Sequence, residues 1–566
     1  MTAKWFVLTL TVSCLILFLA HSPEASLEKS SYLLELARKQ FGELTESEEK
    51  FFKAASRGHT ADYRSKMDVE NNPANSLNWG EGRILKASRV AWLCTDSKAS
   101  ALVNMKGISV KGARIVGNFQ LVAAKIPFRL FFRECAFDGV LDLRNAEIKA
   151  LVMSGSHTGP IHAQLINVED YLVLDNGFKS VGGVSLVGAV INGYLSCRAG
   201  HFHKQGGIAL NAEQITVKGH VAFSEGFESQ GQVRLVSARI GGQLSCSGGK
   251  FINKEAESLS GYQMKIDEDV FLNNKFLSCG EVVLLSAKID GNLVCNGGQF
   301  INKGSYALSG SGLHVGGQIL MREGFTAKGQ VSFSDSRVNG NFKAEGENSS
   351  ITGGEQNEAK ALYLDGIWIS GSLFIRKGFQ VNGKVSLVGA KIDGQFSCNG
   401  GRFRNEEKTT ILAPQMIVKQ SVLLGAGFVS AGMVRITNMK IGGQLSCNGG
   451  QFSNKGAFAL AADEIDVDGS IHMGKGFKSE GEVRLLSARI GGQLDCAGGH
   501  FIHPKYIALN AEQVRVDKSV FLCDKFLANG KVNLVGAEIN GSFNCTGIAS
   551  PQTLSNPAVS CKVRRN

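Results

Sequence analysis

No Cys-x-x-Cys pair occurs anywhere in the 566 residues, which removes the usual dithiol and zinc signatures. His-Glu-x-x-His, the phosphate-binding P-loop, Gly-x-Ser-x-Gly and the calcium-binding nonapeptide are missing as well. Beyond the N-terminus no apolar segment is long enough to cross a bilayer. Proline is scarce, 8 residues against 69 glycines. These absences leave no motif for metal, nucleotide or acyl-transfer chemistry, and attention passes to what recurs.

What recurs is phenylalanine. Phe178, Phe202, Phe227, Phe251, Phe276, Phe300 and Phe325 are spaced 24 or 25 residues apart. The column resumes at Phe379 and runs through Phe403, Phe428, Phe452, Phe477 and Phe501 to Phe526. Intervals alternate, so the sequence unit is a double coil of 49 residues, which Cys197, Cys246, Cys295, Cys398, Cys447, Cys496 and Cys545 mark independently, with Ala344 filling the one gap. Self-similarity at such a period signals a solenoid whose repeats bury their apolar faces only by stacking. The extra residues of the irregular unit fall between Glu345 and Lys360, a polar stretch that reads as an enlarged, solvated loop containing Glu345, Glu347, Glu355 and Glu358.

Within a unit, apolar residues alternate in runs of three to five, broken by glycine: Ile215, Val217, Val221 and Phe223, then Val233, Leu235, Ile240 and Leu244. Period two with glycine breaks means short strands joined by bends, not the strand-plus-helix of a leucine-rich repeat. The fold class expected is all-β, a parallel β-solenoid, right-handed as parallel crossovers usually are. Sixteen regular coils plus two to four irregular ones are expected, each adding ~4.8 Å. The Phe column, with Phe227, Phe251, Phe276 and Phe300 as its clearest members, becomes an interior aromatic ladder. Ladder cysteines such as Cys246 and Cys295 lie two coils apart, ~9.6 Å, beyond disulfide reach. They read as small buried hydrophobes. Cys94 with Cys135, and Cys545 with Cys561, could pair, though nothing requires it. His201, His203, His500 and His503 read as surface turn residues.

The expected organisation is a signal peptide or N-terminal anchor at 1–25, a helical cap region at 26–100, the solenoid at 101–548 and a tail at 549–566. Lys4 precedes the apolar run Trp5–Ala20, which gives the shape of a secretory signal with a cut after Ala25, an uncleaved anchor being the alternative. The chain is thus expected to be exported: periplasmic, in the cell envelope or secreted. In the cap, Leu33, Leu34, Ala37 and Phe41 share one helical face, and Thr45-Glu-Ser-Glu48 is a capping box before Phe51, Phe52 and Ala55. A third helical pattern runs from Arg83 to Cys94.

The block Val-Arg-Leu-x-x-Ala-Arg-Ile-Gly-Gly-Gln-Leu-x-Cys-x-Gly-Gly occurs at 233–249 and 483–499. Together with Trp92-Leu-Cys-Thr-Asp96 it resembles a group of bacterial β-solenoid repeat proteins without an established activity. Some of these carry the label of membrane-associated oxidoreductase, and they are distantly similar to bactofilins and pentapeptide-repeat proteins. The resemblance implies an exported or envelope protein and supplies no catalytic residue. The only approach to a dinucleotide fingerprint, Gly425-Ala-Gly427-Phe-Val-Ser-Ala-Gly432, sits among ladder residues without the strand-then-helix it needs. No cofactor is therefore expected.

One outward column is chemically suggestive. Equivalent positions of successive coils carry Arg239, Lys265, Lys288, His314 and Arg337, then Trp368, Lys391, Ile417, Lys440, Asp466, Arg489 and Arg515, ending at Glu538. Arg234, Arg435 and Arg484 lie beside it. Like charges stacked in register are unfavourable, so the column invites an anionic partner, in keeping with a formal net charge of +11. The plainer account is a solvated β face whose lysines and arginines prevent aggregation. Two function classes stay open: a non-catalytic exported scaffold that binds an anionic glycan, an envelope surface or a protein, or self-associates; and a carbohydrate-active β-helix enzyme using the acids of 345–360. Nucleic acid is not an expected partner, because the chain is expected to be exported and offers no interleaved series of exposed aromatics suited to base stacking.

Overall fold

The computed structural model describes residues 23–353, 360–547 and 559–560. It is mostly strand, in parallel sheets forming a β-solenoid of about 19 turns. The chain divides into two compact units, Met1–Gly242 and Gln243–Asn566.

The first unit opens with helices α1 (Pro23–Phe41) and α2 (Glu46–Arg57), followed by α3 (Ala87–Thr95) and α4 (Ser97–Ser100). The capping box at α2 is formed: the Thr45 side chain accepts the Glu48 amide, and Glu48 reaches back to the Thr45 amide. Leu33, Ala37, Phe51, Phe52 and Ala55 are buried. Trp92 of α3 lies edge-on between Phe41 and Phe52, 5.2 and 5.8 Å away. Winding begins inside the stretch expected to be a helical cap. Thr60–Asp62 pairs in parallel with Ile108–Lys111, and Ile84–Lys86 with Arg114–Val116. Thr60–Asp62 and Ile84–Lys86 are three residues long, too short for alternation to reveal them. Residues 1–22, with the apolar leader, lie outside the described residues. So does the 549–566 tail apart from Val559–Ser560, which pairs with Val532–Asn533.

In the second unit a regular coil contributes one long strand to one sheet and two dipeptide strands to the other, whereas between Ile319 and Ser386 two long strands are split in two and some short ones lengthen to three or four residues. The long strands alternate between eleven residues, as in Lys250–Ser260 and Gln451–Ala461, and seven, as in Leu277–Val283 and Lys478–Arg484. Register between them breaks at the middle: Ile252 pairs with Cys279, then Glu257 with Glu281. The intervening residues loop outward. Asn253, Asn302, Asn405 and Asn454 close four of these bulges by donating Nδ2 to the carbonyl four residues on, at 2.6–2.8 Å. Beneath each bulge the shorter strand needs glycine. Gly481 has φ +128°, and a Cβ there would sit 2.5 Å from the Asn454 carbonyl oxygen.

The bulge also explains the alternation of 25 and 24. Phe452 stands inside a long strand and pairs with Ser479, whereas Phe477 stands in the turn before the next strand. Rings from these two backbone positions nevertheless meet: Phe428–Phe452 at 4.9 Å, Phe452–Phe477 at 5.4 Å, Phe477–Phe501 at 5.0 Å, Phe251–Phe276 at 5.3 Å and Phe276–Phe300 at 5.2 Å. In the first unit Phe202 and Phe227 are 5.4 Å apart. Where the column skips, Ile351 fills the strand position, fully buried, and Phe325 and Phe379 lie 6.4 Å apart. Burying each ring contributes roughly 1.5–3 kcal/mol, so the ladder is a principal source of the stack's cohesion.

Cys545, expected to be buried with the other ladder thiols, is exposed in the last coil described; the six from Cys197 to Cys496, Cys246 and Cys295 among them, are fully buried and unpaired. Burial pushes each of them up, Cys447 to about 12. Such thiols are poor nucleophiles and poor ligands. Cys94 and Cys135 are likewise free and buried, so the pairing left open by the sequence is not made. Cys561 lies outside the described residues.

Candidate functional site

The outward column is built by the first dipeptide strand of each coil. Its inner residue is buried (Ile289, Val315, Val338, Ile392 and Ile441 in turn), so strand alternation sends the preceding residue to solvent. In the second unit the pairing is unbroken: Lys265 with Lys288, Lys288 with His314, His314 with Arg337, Arg337 with Trp368 and Trp368 with Lys391. It continues from Lys391 to Ile417, Lys440, Asp466, Arg489, Arg515 and Glu538. Arg239 belongs to the first unit, exposed and paired with Thr216.

Part of this charge is spent inside the protein. Two residues beyond each column position the chain bends, and several bends carry acids. Lys265 meets Asp267 at 3.5 Å, Lys288 meets Asp290 at 2.8 Å and Arg515 meets Glu538 at 3.2 Å. Two of the three arginines beside the column are engaged too: Arg234 with Glu213 at 3.4 Å, and Arg484 with Asp463, its guanidinium 4.4 Å from the Phe458 ring, while Arg435 is exposed. Lys391, Lys440 and Arg489 form no ion pair among the described residues and are exposed.

The middle of the column is the most organised. Arg337 lies 4.1 Å from the Trp368 ring and bonds Asn339 at 3.3 Å. The indole Nε1 donates to Asp393 at 3.2 Å. Lys419 holds the same carboxylate at 2.7 Å. The bonds from Lys419, and secondarily from Trp368, hold Asp393 below the usual carboxylate range.

Three features contradict or escape the sequence reading. Glu345, expected in a solvated loop, is buried, its Oε1 2.6 Å from Arg376 Nε, and that guanidinium lies 3.9 Å from the Phe374 ring. It belongs to a strand, Phe342–Glu345, paired in register with Leu373–Arg376. Glu347 is exposed; Glu355 and Glu358 lie outside the described residues. His503 is no surface turn residue: it takes the bulge-closing position of the asparagines, buried, its Nδ1 2.8 Å from the Ile507 carbonyl. His201, His203 and His500 stand in the eleven-residue strands. In the first unit Tyr171 and Tyr194 stack after consecutive bends, their rings 5.3 Å apart. Only their offset of 23 residues, one residue under the Phe period, could have signalled it.

The glycine-rich segment 425–432 serves the winding. Phe428 sits in the ladder between Phe403 and Phe452, and Gly432 faces the carbonyls of Asn405 and Lys408 beneath a bulge. Among the described residues no helix is long and apolar enough to cross a membrane, and no three His, Cys, Asp or Glu side chains converge as metal ligands. No family model, curated protein or solved structure matches this chain.

Proposed function

We propose that this protein is a non-catalytic scaffold, exported to the cell envelope or beyond, that presents a basic β face to an anionic polymer or an acidic partner. The observation behind this reading is the column in the second unit. Lys288, Arg337, Lys391, Lys440 and Arg489 recur on every second coil, outward and in strand register. A chain with a formal net charge of +11 adds long-range attraction for polyanions. The apolar run at the N-terminus motivates the export. The resemblance to bacterial repeat proteins points the same way.

The test is retention on immobilised polygalacturonate across a salt gradient. The wild-type protein is expected to be held near physiological ionic strength and to elute as salt screens the contact. The variant Arg337→Glu/Lys391→Glu/Lys440→Glu should pass through unretained with an unchanged circular dichroism spectrum. Retention equal to wild type would refute the proposed face. Depolymerisation of the uronate chain, abolished by Asp393→Asn, would replace the scaffold reading with the enzymatic one.

A further inference from the structure

The central rungs of the column alternate in chemistry as well as position. Arg337, Trp368, Lys391, Ile417 and Lys440 are consecutive partners in strand register: cation, aromatic, cation, aliphatic, cation. Trp368 and Ile417 are each 38% exposed, two large apolar side chains held in water at interposed rungs. Below them Asp466 occupies the next interposed rung and Asp468 the bend beside it, so the pattern ends there. Above them the corresponding rung is His314. Trp368 is fixed from two sides, by the Arg337 guanidinium and by Asp393, whose charge Lys419 offsets.

From this alternation we propose that the ledge Arg337–Lys440 is a docking site for an acidic polysaccharide with one acid group per disaccharide. The inference rests on the basic-face reading above and names its ligand class. Cations on alternate rungs stand ~9.6 Å apart, and the five rungs span ~19 Å. A chain of linked pyranoses advances about one sugar per rung, so acid-bearing sugars meet Arg337, Lys391 and Lys440 while the sugars between them cover the exposed parts of Trp368 and Ile417. An extended acidic peptide fits less well. Its same-side carboxylates recur every ~6.6–6.8 Å and drift out of phase with the cations within two repeats. A polyphosphate carries charge far more densely and gives the apolar rungs nothing to cover.

The decisive variant exchanges phase without changing charge: Ile417→Lys/Lys440→Ile. Affinities for hyaluronan, polyphosphate and polyglutamate are measured at one ionic strength on the full chain. Hyaluronan affinity is expected to fall roughly tenfold in the exchange variant, and by a similar factor in Trp368→Ala, the usual share of an aromatic anchor. Polyphosphate and polyglutamate binding should stay within twofold. Equal hyaluronan affinity in wild type and exchange variant would overturn the ledge and leave a basic face that counts charge alone. A variant that loses all three polymers equally also overturns it. Wild-type protein that binds none of the three refutes the basic-face reading itself. Trp368→Lys/Lys391→Leu repeats the exchange one rung away, so a folding defect in one variant does not decide the outcome.

Discussion

Replacing Phe452 by alanine tests whether the ring column is the packed spine of the second unit. The side chain is 1% exposed and touches rings on both sides, at 4.9 and 5.4 Å. Truncating a buried phenylalanine costs about 3–5 kcal/mol, transfer and residual cavity together. The upper half of that range applies, because two aromatic contacts worth about 0.5–1.5 kcal/mol each are lost together and parallel strands ~4.8 Å apart cannot close over the void. Phe452→Ile should cost far less, about 1–2 kcal/mol, since the equivalent position at Ile351 is filled by an aliphatic side chain. Urea unfolding followed by circular dichroism gives the midpoint shift. Hydrogen exchange adds the location, because a solenoid transmits stability between neighbours and protection should fall first in the strands Gln451–Ala461 and Lys478–Arg484. A loss below about 1 kcal/mol for Phe452→Ala would show that the ring is not packed as described.

Two further outcomes follow from buried groups. Cys447 is held at about 12 by burial, above its ordinary value of 9.0. The folded chain therefore keeps a proton that the unfolded chain releases between those values. Stability is complete below pH 9 and falls as pH rises, by about 1.4 kcal/mol per unit for each such thiol. Cys447→Ala should flatten the fall in urea midpoint above pH 9 by that amount, and an unchanged slope would mean that the thiol ionises in the folded state. Glu345→Gln should destabilise by about 2–4 kcal/mol, because the half-buried Arg376 loses its charge partner. The joint change Glu345→Leu/Arg376→Met should recover most of that loss, as read from thermal midpoints. Additive losses would show that the two side chains are not coupled.

The period of phenylalanine and cysteine makes the parallel solenoid legible in the sequence, because stacked coils force equivalent residues into columns and a column leaves a fixed interval in the chain. The same logic aligned Lys265 through Glu538 in the order that the strand pairing has. Helix α2 was legible for a local reason: Thr45 and Glu48 cap each other across one turn. A fixed interval does not say where within a coil the extra residues go. Only the folded chain shows Phe452 opposite Ser479 while its ring meets those of Phe428 and Phe477, because a bulge shifts the backbone and leaves the ladder intact. Charge partners were equally hidden. Glu345 finds Arg376 across 31 residues and Asp393 finds Lys419 across the next coil, contacts decided by side-chain reach between coils. The sequence alone determined the winding and the columns, since both follow from repetition. Which charges remain available to a ligand was settled by the tertiary structure, because neutralisation acts between neighbouring coils and along bends, where the interval carries no record of it.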